Sequence, residues 1–187
     1  MPEAETGPET AAPPQPTPEI WRVLVPSPIG FLGIELEGSL IVQVVLAPIG
    51  RERKRFTPLA DLKPADRSDQ LDEVIGRFSE YLAGARKELG LPYDLRRYDL
   101  PPFDRRVLKE TAKIRYGRTR TYQQIGANAG RPSSYRQVLA VLQANPLPLV
   151  VPCHRVVTSK SGVGSYIGGV KRKNWLLRME QKHLPLL

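Results

Sequence analysis

The chain has 187 residues, 28 Lys and Arg against 19 Asp and Glu, one cysteine and two histidines. One cysteine excludes an internal disulfide framework, and Cys153, His154 and His183 are not at zinc-ligand spacing, so no structural metal is expected. There is no signal-peptide pattern and no apolar run approaching about 20 residues, so a soluble, cytoplasmic protein (nuclear in a eukaryote) without membrane contact is expected.

The net charge of +9 is unevenly placed. Residues 1–21 carry four glutamates and no basic residue, and residues 22–100 balance 12 basic side chains against 12 acidic. Residues 101–187 hold 16 basic residues against Asp104, Glu110 and Glu180. A scattered excess would describe only a solvated surface; concentration in one half points to a polyanion partner, most simply nucleic acid.

Residues 1–19, rich in Pro, Glu, Thr and Ala, lack apolar periodicity and are expected to form a disordered tail. Trp21 to Val25, Gly30 to Leu36 and Leu40 to Leu46 read as short strands separated by Pro26-Ser27-Pro28 and Glu37-Gly38-Ser39. Arg51 to Pro64 reads as a polar, solvated connection. Leu71, Ile75, Phe78 and Leu82 recur at helical spacing, with Ser68 or Asp69 as cap and Gly90 as stop. Nothing in this first unit, residues 20–98, looks catalytic.

Pro101-Pro102 marks a boundary, because neither residue continues a strand ladder or sits inside a helix. The second unit, residues 99–187, begins with a helix from about Asp104 that ends before Gly117. A helix over Tyr122 to Gly130 follows, with Thr121 as N-cap and Gly130 as stop. Another runs from Ser133 to Ala144 and closes at Asn145-Pro146. Two short helices joined by a Gly-containing turn in a basic region outline a helix-turn-helix. On the second of them Ser133, Arg136, Gln137, Ala140 and Gln143 form a polar or small stripe opposite an apolar side. Such a stripe suits a nucleic-acid groove, with Arg136 reaching; the plainer reading is a solvated arginine.

The only cysteine lies in Leu149-Val150-Val151-Pro152-Cys153-His154-Arg155, after an apolar run that reads as a strand. Basic neighbours and an exposed turn would lower its pKa and make it a nucleophile. The loop from Ser159 to Gly169 contains four glycines, which permit close backbone approach to a ligand. In the last helix, Val170 to Gln181, Glu180 shares the inward face with Leu176 and Leu177 and needs a buried partner, either His154 or Arg155.

Pro152-Cys153-His154-Arg155-Val156, with Asn145-Pro146 before it and Gly168-Gly169 and Trp175-Leu176-Leu177 after it, resembles the O6-alkylguanine-DNA alkyltransferase family. Tyr122-Gln123-Gln124 and Gly130-Arg131-Pro132 match its helix-turn-helix, and the likeness runs through residues 103–180. The resemblance implies an α+β protein: an N-terminal ribonuclease-H-like domain, then a helical DNA-binding domain with the reactive thiol. It implies direct repair by irreversible, single-turnover transfer of an alkyl group from O6-alkylguanine in double-stranded DNA to Cys153. No cofactor would be used, and the protein would be a monomer with room for cooperative assembly on DNA.

By the same resemblance, His154 would act as base through a bridging water, Glu180 would orient it, and Tyr122 would press on the target phosphate and protonate the leaving guanine. An extended segment would point Cys153 and His154 opposite ways, which favours that relay. Arg136 would enter the base stack, beside Ser133, Ser134, Gln137 and Ala140 in the minor groove. Val156, Tyr166, Ile167 and Gly168 would line the base pocket, and Asn145 would tie the recognition helix to the active-site loop. Tyr135, Gln137, Leu139 and Ile167 replace residues that are commonly Ala, Ala, Gly and Ser, which leads us to expect weaker or altered docking. The alternatives are a non-catalytic lesion-binding protein that flags damage, a cysteine hydrolase and a sequence-specific regulator. The intact Pro-Cys-His-Arg and the lack of a second usable histidine argue against them.

Overall fold

The computed structural model describes residues 19–158 and 162–184, so the expected tail up to Pro18 lies outside the described residues. Strands β1 (Ile20–Val25), β2 (Leu32–Glu37) and β3 (Leu40–Leu46) form an antiparallel meander that buries Val23 to Val25, Leu32 to Ile34, Leu36, Ile41 and Val44. The connection read as a plain loop instead contains a short helix α1 (Gly50–Arg53) and strand β4 (Thr57–Pro58). β4 adds in parallel to the free edge of β1, giving the order β3-β2-β1-β4. Two residues bounded by charge and proline carry no alternation, so the added strand leaves no periodic trace.

Helix α2 (Asp69–Leu82) covers this sheet with Leu71, Val74, Phe78, Tyr81 and Leu82. The Ser68 hydroxyl accepts from the Leu71 N–H and caps it. The helix ends earlier than Gly90. Gly84, at φ +77°, supplies the left-handed stop, and the His183 ring packs where a side chain would stand.

Helix α3 (Pro102–Ala112) begins on the second proline itself, because the first turn has no intrahelical use for that N–H. Strand β5 (Arg120–Thr121) leads into α4 (Tyr122–Asn128), whose Thr121 and Gln124 form a full capping box. Helix α5 (Tyr135–Gln143) follows, and α6 (Val170–Lys182) closes the chain. The architecture is thus α+β, a sheet-bearing first part followed by a helical one. One apolar cluster runs through both, from Val23 and Phe78 to Val138, Val156 and Leu176.

Two features position the cysteine segment. β6 (Val156–Val157) pairs in parallel with β5, setting the start of α4 beside it. The Leu149–Val151 run is not a strand. Leu149 is buried at φ +75°, a conformation that disfavours an L residue, and the chain turns there into a 3-10 turn over Cys153–Arg155. Asn145 holds this bend by accepting from Leu147 N–H and donating to Val151 carbonyl, at 3.0 Å each. A packed loop carries the same buried apolar composition as a strand, so composition alone does not separate the two here.

Among the described residues no helix is long and apolar enough to cross a membrane, and no cluster of three His, Cys, Asp or Glu is placed to hold a metal ion.

Helices α4 and α5 approach each other at Gly126, where an added Cβ would lie 2.6 Å from Ser134 Oγ and 2.9 Å from the Arg131 carbonyl oxygen. Gly126→Ala should therefore lower stability by about 1–3 kcal/mol, measured by urea unfolding. An unchanged midpoint would refute this packing.

Candidate active site

Cys153 sits at the start of its 3-10 turn with 3% of its surface exposed, so it does not occupy the open turn that the sequence suggested. Asn145 Nδ2 lies 3.2 Å from its sulfur while also reaching the Val151 carbonyl. Burial pushes the thiol up to about 11, against the Asn145 hydrogen bond and the nearby Lys173 charge. The basic neighbours do not activate it directly. In this turn the His154 and Arg155 side chains both engage Glu180.

Glu180, fully buried on α6, takes both of the partners that the sequence left as alternatives. His154 Nε2 lies 2.9 Å from its Oε1, and Arg155 Nε and NH2 lie 3.0 and 2.9 Å from the same oxygen. The Tyr81 hydroxyl donates to Oε1 at 2.5 Å, and the Gly117 N–H donates to Oε2 at 2.8 Å. Burial alone would raise the carboxyl; the hydrogen bonds and charges of His154 and Arg155 outweigh it and hold Glu180 at about 2. His154 is lowered by burial, against the pull of Glu180. With Nε2 on the carboxylate, Nδ1 is the free acceptor of the ring, and it has no protein partner. Nδ1 is thus the ring atom left to take up a proton, and the residues sit in a 3-10 turn rather than the extended segment expected.

Two residues at this site escaped the sequence reading. Lys173 is buried on the inward face of α6, and its Nζ donates to the Val156 carbonyl at 2.5 Å and the Ser165 carbonyl at 3.1 Å. Burial lowers it to about 8, with Cys153 acting in the opposite sense. Its spacing of three from Leu176 and seven from Glu180 was the available signal. Tyr81 arrives from α2, where helical spacing marks it only as core.

The remaining predicted residues fall into two groups. Tyr122 is buried, its hydroxyl donates to the Ser165 carbonyl at 3.1 Å, and burial pushes it up to about 12. Tyr166 is buried with its ring 6.3 Å from that of His154, and Ile167 beside it is 39% exposed. Gly168 packs against Leu46 of β3, and Gly164 approaches the Tyr122 hydroxyl, so the close approach of these two loop glycines is to the protein itself. Ser159 to Ser161 of that loop lie outside the described residues.

Ser133, Arg136, Gln137 and Ala140 are exposed on and just before α5, and the first three line a groove of about 680 Å³. Ser134 differs: it is buried, and its hydroxyl donates to the Arg131 carbonyl at 2.6 Å. Tyr135 turns its ring edge onto Tyr122, at a centroid distance of 4.9 Å, and Leu139 packs against the core. Tyr135 thus both lines the groove and packs inward, while Leu139 lies against the core.

Residues 102–182 match the family model described as 6-O-methylguanine DNA methyltransferase, DNA binding domain. A methylated-DNA--protein-cysteine methyltransferase of Mycobacterium tuberculosis is 33% identical over 163 residues, 86% of this chain and 92% of that protein. The crystal structure of Mycobacterium tuberculosis O6-methylguanine methyltransferase superposes with a TM-score of 0.72 at 30% identity, covering 89% of this chain and 96% of that one. Mycobacterium tuberculosis OGT in complex with DNA gives 0.70 at 31% identity, with coverage of 87% and 93%.

Glu180→Gln leaves Arg155 without its counter-charge and should cost about 3 kcal/mol at pH 7 by urea denaturation. Because the folded carboxyl is depressed to about 2, its stabilisation is complete above about pH 5 and is lost as pH falls through the folded value. The gap between wild type and variant should therefore narrow between pH 5 and pH 3; a constant gap would contradict this.

Proposed function

This chain belongs to the methylated-DNA--protein-cysteine methyltransferase family, and on that premise we propose that it repairs DNA by taking the alkyl group of O6-alkylguanine onto Cys153. The observation that carries the assignment of the acceptor is the sulfur fixed by Asn145 beside a buried His154–Glu180 pair. In the transfer, Sγ attacks the alkyl carbon; the S–C bond forms as the bond from carbon to guanine O6 breaks. The thiol proton passes through a bridging water to His154 Nδ1, and Glu180 supports the imidazolium. Tyr122, kept protonated at neutral pH by burial, gives a proton to the leaving guanine and is restored from His154. The net change moves one proton from thiol to guanine and requires no cofactor. The thioether is stable, so each molecule acts once.

A base inside a duplex is out of reach of a buried sulfur, so the lesion has to be flipped out, at a cost of a few kcal/mol. Helices α4 and α5 serve as a helix-turn-helix whose exposed stripe of Ser133, Arg136, Gln137 and Ala140 enters the minor groove. Arg136 fills the gap in the stack. Ser134, with its hydroxyl held on Arg131, acts through its backbone. Main-chain groups of Cys153 and Val156 read the base edge, and Tyr166, Ile167 and Gly168 wall the pocket. Residues 20–98 form the ribonuclease-H-like domain and residues 99–187 the alkyltransferase domain, a division supported by the family model beginning at residue 102. The protein acts as a monomer in solution, and a DNA titration steeper than one-site binding would reveal cooperative assembly.

The test uses an oligonucleotide duplex carrying labelled O6-methylguanine. We expect one alkyl group per molecule on Cys153 by mass spectrometry and none on Cys153→Ala; turnover beyond one equivalent would sink the proposal in favour of a hydrolase. Binding without transfer would favour a damage flag.

Arg136→Ala should slow transfer from duplex by about tenfold or more while leaving transfer from a single strand far less affected, because only the duplex pays for flipping. Affinity for duplex should fall as salt rises. Equal slowing on both substrates would remove Arg136 from the flipping step.

A further inference from the structure

Tyr81 is the side chain by which the first part of the protein enters the site, and it is fully buried there. Its hydroxyl donates its single proton to Glu180 Oε1 at 2.5 Å and lies 3.3 Å from His154 Nε2. That oxygen is the one that faces His154. Burial, then the Glu180 charge, pushes the Tyr81 phenol well above its ordinary value, so it stays a donor across the working pH range.

We propose that Tyr81 is a positioning residue that keeps His154 a weak base, drawing carboxylate charge on Glu180 away from the imidazole and so holding Cys153 un-ionised in the resting protein. This rests on Cys153 being the alkyl acceptor. The physical basis is competition for one oxygen. A hydrogen bond to an ionised carboxylate is among the stronger ones, and charge committed to Tyr81 is less available to an imidazolium. The longer contact from Tyr81 to Nε2 does not reverse the sign. A phenol oxygen facing Nε2–H favours the imidazolium, but at 3.3 Å and to a neutral atom it is the weaker of the two contacts that Tyr81 makes, the other being the 2.5 Å bond to an ionised carboxylate.

The other charged or titratable groups around His154 and its carboxylate are accounted for by element. Lys173 comes from α6, Cys153 and Arg155 from the same 3-10 turn, Tyr116 from the segment after α3 and Tyr166 from the loop before α6. Arg155 and Lys173 also disfavour the imidazolium. Tyr81 is distinct among the Glu180 donors because it is neutral and comes from the sheet-covering helix. A weakly basic His154 protects a single-use thiol from spending itself on stray electrophiles, since only a thiolate reacts readily.

The experiment follows the pH dependence of single-turnover transfer from an O6-methylguanine oligonucleotide, alongside NMR titration of the His154 ring. In Tyr81→Phe we expect the His154 pKa and the acid-limb midpoint of the rate to rise together by about half a pH unit. The high-pH plateau should rise by the matching factor of about three, while the low-pH rate stays as in wild type. The converse variant carries a fluorinated tyrosine at position 81, a stronger donor. It should move the His154 pKa, the midpoint and the plateau downward. Opposite shifts from removing and strengthening the donor are not produced by a merely structural tyrosine, and the fluorinated variant retains the contact should Tyr81→Phe fold poorly. An unmoved His154 pKa in the fluorinated variant, or movement in the same direction in both, overturns the proposal. A wild type that transfers nothing to Cys153 overturns the functional reading on which it rests, which is a separate outcome.

Discussion

Everything at the centre of this molecule is arranged around a carboxylate that has been taken out of water. An ionised side chain in the interior is costly unless nearly all of its lone pairs are satisfied. Glu180 meets that requirement with four residues from three places: Tyr81 of α2, Gly117 of the turn after α3, and His154 and Arg155 of the cysteine turn. Satisfying one charge therefore fixes the relative positions of segments far apart in the chain. The same requirement explains why Arg155 is buried: its NH1 also donates to the Ile114 carbonyl at 2.6 Å, closing the end of α3 onto the site.

The state of the thiol follows from this arrangement. Cys153 lies in an apolar interior and is held up at about 11, while the two basic residues beside it are committed to Glu180 rather than to sulfur. Lys173 is the cation that acts on the thiol, and its own depression shows what its burial costs. The protonation state of the thiol is thus a property of the packing around it.

The α4–α5 pair is tied to this centre through Tyr122. The β5–β6 pairing sets the start of α4 against the cysteine segment, and the capping box fixes the first turn that carries Tyr122. Tyr135, at the start of α5, packs its ring against Tyr122. A residue that looks oversized for a groove contact therefore serves in part to join the two helices.

The sequence by itself determined the parts whose signal is local. The strands from Ile20 to Leu46, the caps at Ser68 and Thr121, the stop at Gly130 and the inward face carrying Glu180 could all be read from spacing and turn chemistry. So could the charge contrast between the halves and the Pro-Cys-His-Arg motif. Local pattern did not show β4, which exists only because β1 has an open edge, or the bend at Leu149, which two hydrogen bonds from Asn145 hold in place. Nor did it show that Cys153 is buried. Only the tertiary structure decided that Glu180 serves His154 and Arg155 together and that Tyr81, otherwise an ordinary core tyrosine, joins them from 99 residues away. The physical reason is that desolvation acts on a position in space, and burial of one carboxylate can recruit whichever donors the fold brings to it, however distant they are along the chain.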